Sequence, residues 1–130
     1  MATNKKIFSS TSCGQVSIQN MNLDGTGIIV LILTGAMDGT IINSVTIKAT
    51  GSTTQGMIRL FAKSGIIAAR LILEIPIPAK TQSAVMQAYA ITIPTAIIIN
   101  AGDEIYASTE NNETFNVFAN ANKWENCECV

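Results

Sequence analysis

Hydrophobic and polar residues alternate through residues 40–60, and this pattern predicts two β-strands joined by a turn. The apolar positions of the first strand are Val45, Ile47 and Ala49, and those of the second are Ile58, Leu60 and Ala62. A period of two places such residues on one face of a strand. The intervening residues 51–56 begin and end with glycine, which can adopt a positive φ, so a turn is predicted there.

The rest of the chain predicts further strands of the same kind, separated by turns rich in glycine and asparagine. They cover residues 16–20, 28–34, 66–76, 84–94, 104–109 and 114–121. Pro94 is expected to end its strand, leaving residues 96–99 as a short apolar segment. A helix over residues 66–74 is the alternative for one segment, but Pro76 and Pro78 favour an extended chain, because proline disfavours the helical conformation of the preceding residue.

These elements predict an all-β fold of eight or nine short strands. We expect an antiparallel β-sandwich of the jelly-roll type, since short strands with frequent turns are typical of sandwiches and barrels. Three regions are predicted: a polar N-terminal arm over residues 1–14, the sandwich domain over residues 15–121, and a C-terminal tail over residues 122–130.

The composition combines abundant apolar residues with little charge. Of the 130 residues 48% are hydrophobic and 13% are charged, whereas about 25% charged is usual. Either part of the surface is covered in an assembly, or the surface is a neutral one rich in threonine. Lysines that could protect strand edges from pairing are few and dispersed, at Lys48, Lys63 and Lys80. Self-association is therefore expected.

Several classes of partner are disfavoured by charge and hydropathy. The net charge is −1 and no basic run occurs, which argues against nucleic-acid binding. The longest aliphatic run, residues 28–33, is far shorter than the roughly 20 residues that span a bilayer, and the N-terminus lacks the apolar core of a signal peptide. A soluble protein made in the cytosol, without a membrane partner, is the expectation.

No residue pattern predicts catalysis, a metal or a cofactor. The chain has no histidine, which removes histidine-activated nucleophiles and histidine-containing zinc sites. Its carboxylates are interpreted as solvated turn residues, and calcium binding through Asp24 and Asp38 is disfavoured because no D-x-D pattern occurs. Cys13, Cys127 and Cys129 are interpreted as free thiols, although the C-x-C pair could contribute to a metal site. The chain is therefore predicted not to be an enzyme.

Candidate functional residues are restricted to an interface. Arg59 and Arg70 lie outside the apolar rows of two strands predicted to pair, where they could contact Glu74 or a partner protein. Aromatic side chains could stack on a sugar, but they are few and scattered, so core or interface packing is favoured. The candidate interface residues are Arg59, Phe61, Arg70, Tyr106, Phe118 and Trp124.

Two segments carry a resemblance to a known group of proteins. Residues 45–61 (VTIKATGSTTQGMIRLF), and residues 101–110 (AGDEIYASTE) followed by 113–117 (ETFNV), resemble segments of small virion structural proteins of tailed bacteriophages. Their order and separation also match, and the resemblance covers residues from about 41 to 119. The Ser/Thr-rich arm and the C-x-C tail depart from the pattern of that group.

The resemblance implies a β-sandwich or jelly-roll component of the phage particle, such as a capsid decoration, head-fibre or tail protein. It implies a homo-oligomer, with a trimer expected from the habits of such proteins. Other virion proteins, such as the major capsid protein, would be its partners, and the virion its location after synthesis in the host cytoplasm. A carbohydrate-binding β-sandwich module is the alternative.

Overall fold

The computed structural model describes the backbone of residues 3–128 and the side chains of residues 8–123. Within this range the chain forms eight strands and no helix. The strands are β1 (Thr3–Val16), β2 (Val30–Thr34), β3 (Thr40–Ala49), β4 (Gly56–Lys63), β5 (Arg70–Ile77), β6 (Ala90–Ile99), β7 (Glu104–Thr109) and β8 (Phe115–Glu128). Every pair of neighbouring strands is antiparallel.

The strands form two four-stranded sheets, with the orders β1-β8-β3-β6 and β2-β7-β4-β5. Each strand of the first half pairs with its counterpart in the second half: β1 with β8, β2 with β7, β3 with β6, and β4 with β5. This is the pairing of one long antiparallel hairpin rolled into two sheets, which is the jelly roll. The predicted fold class is therefore confirmed.

The core lies between the two sheets and consists of the alternating apolar residues. Ile47 at the centre of β3 pairs with Val117 of β8 on one side and with Ile91 of β6 on the other, forming an apolar row across the sheet. Ile105 and Ala107 of β7 face it from the second sheet and are also buried. Burial of such side chains contributes about 1.5–3 kcal/mol for each large aliphatic residue. The period-two pattern thus identified the inward faces correctly.

Predicted strand boundaries were wrong at residues 16–20, 66–76 and 84–94, and the strand predicted from residue 66 begins only at Arg70. Val16 ends β1, and residues 17–29 form a connection to β2. Residues 84–89 precede β6. The backbones of Ser83 and Met86 form two hydrogen bonds with each other, and the turn between them leaves Val85 almost fully exposed. Pro94 lies within β6 rather than ending it, because β6 is an edge strand and needs hydrogen bonds on one side only.

The predicted arm and tail are continuous with strands. β1 extends from Thr3 and β8 ends at Glu128, and the two pair along 14 residues. The predicted divisions after residues 14 and 121 therefore fall inside strands. The N-terminal segment was predicted to be an arm because it is polar. It forms an edge strand nevertheless, since one face and one edge of such a strand are open to solvent and accept polar residues.

One lateral side of the sandwich is closed by the close approach of β1 to β2. A Cβ added at Gly14 would lie 2.6 Å from Cδ1 of Ile32 and 2.9 Å from the carbonyl oxygen of Leu31. Only glycine leaves room for this contact. The opposite lateral side, between edge strands β5 and β6, has no such closure.

Candidate interaction surfaces

Arg59 of β4 is a buried cation on the outer face of the second sheet. Its Nε donates to Oε2 of Glu74 at 3.2 Å, and its Nη2 donates to Oε2 of Glu110 at 2.9 Å. The Arg59 side chain is only 8% exposed, whereas those of Glu74 and Glu110 are 43% and 31% exposed. The sequence-based alternative of a contact with Glu74 is confirmed, and the side chain is too deeply buried to serve as the predicted interface residue.

Phe61 is also inaccessible, although it lies on the same outer face. It is fully buried and pairs in register with Tyr106 of β7. The connection of residues 17–29 covers this face: Gln19 bridges to Thr109 of β7, and a Cβ on Gly25 would lie 2.6 Å from the carbonyl oxygen of Ala69, next to β5. The connection therefore crosses over β4, and the prediction of Phe61 as an interface residue was wrong for this reason.

Asn20 holds that connection in place. Its buried side-chain amide donates to the carbonyl oxygens of Thr26 at 2.9 Å and Ile28 at 2.8 Å, and its Oδ1 accepts from the backbone N–H of Asn22 at 3.0 Å. Its own backbone N–H donates to the carbonyl of Thr109 at 2.8 Å. The Asn20 side chain thus supplies backbone groups of the connection with hydrogen bonds that a neighbouring strand would otherwise supply. This explains how the chain can leave β geometry here.

The other candidate interface residues are dispersed. Arg70 is exposed at the start of β5, and Tyr106 is half-buried beneath the connection, where burial and the neighbouring Glu104 raise the pKa of its hydroxyl. Phe118 is half-buried on the other sheet. Trp124 pairs in register with Ile7, and its side chain lies outside the described residues. Among the candidates whose side chains are described, the structure brings no set together into one site.

The central part of the outer face of the first sheet contains uncharged polar side chains that bond to one another. Asn120 on β8 donates to the hydroxyl groups of Ser44 at 2.9 Å and Thr46 at 3.1 Å on β3, and accepts from Thr11 of β1 at 3.3 Å. The hydroxyl groups of Thr46 and Thr92 are 2.9 Å apart. These groups satisfy one another without charged partners.

A groove opens between the edge strands β5 and β6, on the lateral side that is not closed. It has a volume of about 680 Å³. Its floor is apolar and formed by Leu73, Ile97, Ile99 and Ile105, which belong to or pack against the core. Ile72 and Ile98 stand at its margin and are 40% and 74% exposed. The groove therefore exposes apolar surface continuous with the core.

This groove was not found from the sequence. Ile66 and Ile67 were assigned to a strand, but they belong to the turn between β4 and β5 and are exposed. Leu60 and Phe61 of β4 pair with Leu73 and Leu71 of β5. Ile72, which lies between those two, therefore has no partner in β4 and forms a bulge. Ser64-Gly65 directly before the two isoleucines was the available signal that these residues lie in a turn.

Three further observations concern metal ligands, thiols and membrane spans in the described part of the chain. Its cysteine, aspartate and glutamate residues nowhere form a group of three that could hold a metal ion. The described thiol, Cys13, is free and exposed. Within the same residues, no helix has the length and apolarity needed to cross a lipid bilayer.

No protein-family model matches the chain, and a comparison with curated proteins also finds no match.

Proposed function

We propose that this protein is a non-enzymatic structural component of a tailed-bacteriophage particle, an oligomeric capsid decoration protein or a head or tail accessory protein. The observation that carries the proposal is the placement of the two phage-like segments on the jelly roll. Residues 45–61 lie in β3 and β4, and residues 101–117 contain β7 and the start of β8. These four strands are the inner strands of both sheets.

Jelly rolls also occur in lectins and in metal-binding enzymes, so the fold alone does not select a particle protein. The chain has no histidine, the usual ligand of such metal sites. The two tyrosines, whose side chains the structure describes, do not form a sugar platform together: Tyr89 packs against the core, whereas Tyr106 lies on the outer face of the second sheet beneath the connection. The apolar groove and the uncharged polar part of the first sheet's outer face are surfaces that fit protein partners.

As partners we propose further copies of the chain, with a trimer expected from the resemblance, and other virion proteins such as the major capsid protein. The location that follows is the virion, after synthesis in the host bacterial cytoplasm.

Mass spectrometry of virions purified from the phage that encodes the chain tests the proposal. We expect the protein in fixed stoichiometry to the major capsid or tail protein after washing and gradient purification. Its absence from the particles, combined with saturable glycan binding by the purified protein, would refute the proposal in favour of a carbohydrate-binding module.

A further inference from the structure

The turn between β4 and β5 forms an apolar projection beside the groove. Ile66 is fully exposed, at 103%, and Ile67, which also lines the groove, is 51% exposed. Gly65 has a φ of 58°, a conformation that side chains other than glycine rarely adopt, and it places the two isoleucines at the tip of a tight turn. An isoleucine that makes so little contact with its own chain gains nothing for the monomer from its apolar side chain.

The projection and the groove are both apolar. One is a convex pair of isoleucines, and the other is a concave surface with an apolar floor and with Ile72 and Ile98 at its margin. Because every copy carries both features side by side, copies of the chain can satisfy each other's exposed apolar surface. A small ligand could fill the groove, but it would leave Ile66 in water.

We propose that the turn of residues 64–69 and the groove between β5 and β6 form the surface through which copies of this chain associate. The turn of one copy would seat in the groove of another. This inference rests on the self-association in the proposed function and assigns its location.

The area available is sufficient for a specific contact. The exposed parts of Ile66, Ile67, Ile72 and Ile98 amount to about 500 Å² in each copy. A reciprocal contact about a twofold axis would therefore bury on the order of 1,000 Å² from these residues alone, which is the lower limit for biological interfaces. A head-to-tail contact that closes into a ring uses the same turn and the same groove.

The charges at the margin of the groove also favour a second copy. Lys63 and Arg70 line it together with Asp103. Among the described residues neither Lys63 nor Arg70 has an ion-pair partner. An anionic amphiphile would be attracted by the two cations but repelled by Asp103, whereas another copy supplies both signs. Continuous sheet formation across the edges is disfavoured, because Pro76 in β5 and Pro94 in β6 each lack a backbone donor.

Two variants with a matched control test the inference. Ile66→Asp introduces a charge on the projection, and Ile98→Asp introduces one at the groove margin. The control, Val85→Asp, introduces the same charge in place of another exposed β-branched aliphatic residue, 95% exposed, in the turn before β6. Because all three positions are exposed, the folded monomer should tolerate each change, as circular dichroism and thermal unfolding would verify. The assay is light scattering behind size exclusion across micromolar concentrations.

We expect the wild type and Val85→Asp to be oligomers with the same mass. Ile66→Asp and Ile98→Asp should each weaken association on the order of a hundredfold or more and elute near the monomer mass of 13.8 kDa. Oligomers that persist unchanged in both Ile66→Asp and Ile98→Asp would overturn the inference. The proposed function would stand in that case as long as virions contain the protein.

Two further outcomes also decide against the inference. A wild type that stays monomeric at all concentrations would overturn it directly. A wild-type monomer that carries a small apolar molecule in native mass spectrometry, lost in Ile98→Asp, would assign the groove to a ligand instead. Neither result bears on whether virions contain the protein, so the two proposals can fail separately.

Discussion

Removing both acidic partners of Arg59 should destabilise the protein more than removing Arg59 itself. The guanidinium is buried on the outer face of β4 and depends on Glu74 and Glu110 for compensation of its charge. Its Nη1 atom is buried without a hydrogen-bond partner, so no further group takes over when those carboxylates are lost. The double variant Glu74→Gln with Glu110→Gln would leave a nearly uncompensated buried cation.

The expected magnitudes follow from exposure and distance. Glu74 is the more exposed partner and its contact is the longer one, 3.2 Å against 2.9 Å for Glu110. Glu74→Gln should therefore cost less than about 1 kcal/mol, as for a surface pair. Glu110→Gln should cost about 1–2 kcal/mol, at the lower end for a hydrogen bond to a charged group. The double variant should cost about 3–5 kcal/mol, as for a buried charge that loses its partner.

Arg59→Leu removes the buried charge and leaves two carboxylates that already contact solvent. Its cost should be about 1–2 kcal/mol, below that of the double variant, because a similar apolar volume stays in place. The matched control is Lys80→Leu, a cation outside the groove and without an ion-pair partner among the described residues, for which we expect a change within about 0.5 kcal/mol.

Urea denaturation at one fixed protein concentration measures these differences, since self-association would otherwise shift the midpoints. A double variant whose cost equals the sum of the single changes would contradict the proposed dependence on both partners. Arg59→Leu costing more than the double variant would show that packing of the arginine stem, and not its charge, stabilises this face.

Other parts of the fold give three further predictions. Gly14→Val should cost about 1–3 kcal/mol in the same denaturation assay, because the added carbons would overlap Ile32; an unchanged midpoint would disprove the close approach of β1 to β2. Asn20→Ala should cost about 2 kcal/mol and speed proteolysis of the connection before β2, which limited digestion would detect. Burial and Glu104 raise the pKa of Tyr106, so its contribution to stability should be complete below the unfolded-state pKa of about 10 and be lost as the pH rises through the folded-state pKa. Tyr106→Phe should reduce this alkaline loss of stability in thermal unfolding measured from pH 8 to 11.

The inward faces of the strands could be predicted because each strand has one buried and one open face. The period of two then appears directly in the sequence, as in β7, whose bounds Glu104–Thr109 and whose inward residues Ile105 and Ala107 agree with the structure. The same pattern failed for Arg59 and Phe61, which alternate out of the core but are covered by the connection of residues 17–29. A distant segment that packs on the outer face leaves no trace in the local alternation.

The groove could not be predicted because its two walls are edge strands of different sheets. β5 and β6 are neighbours in sequence but belong to different sheets, and the space between them depends on how far those sheets separate at their edges. The exposure of Ile98 illustrates the problem. It lies in residues 96–99, which the sequence identifies only as a short apolar segment, and it is 74% exposed because alternate residues of an edge strand point outward.

The physical reason for expecting self-association changes once the edges are known. From the sequence, scarce lysines suggested that unprotected strand edges would need to be covered by neighbouring subunits. In the structure the edge strands β5 and β6 contain Pro76 and Pro94, and β5 also has a bulge at Ile72, so these edges are protected against pairing without charge. The remaining reason for association is exposed apolar side-chain surface, and the β5–β6 groove with the turn that carries Ile66 is the part of it assigned to self-association. An interface of this kind depends on apolar contact rather than on backbone hydrogen bonds, and it should therefore persist at high salt, where association driven by charge would weaken.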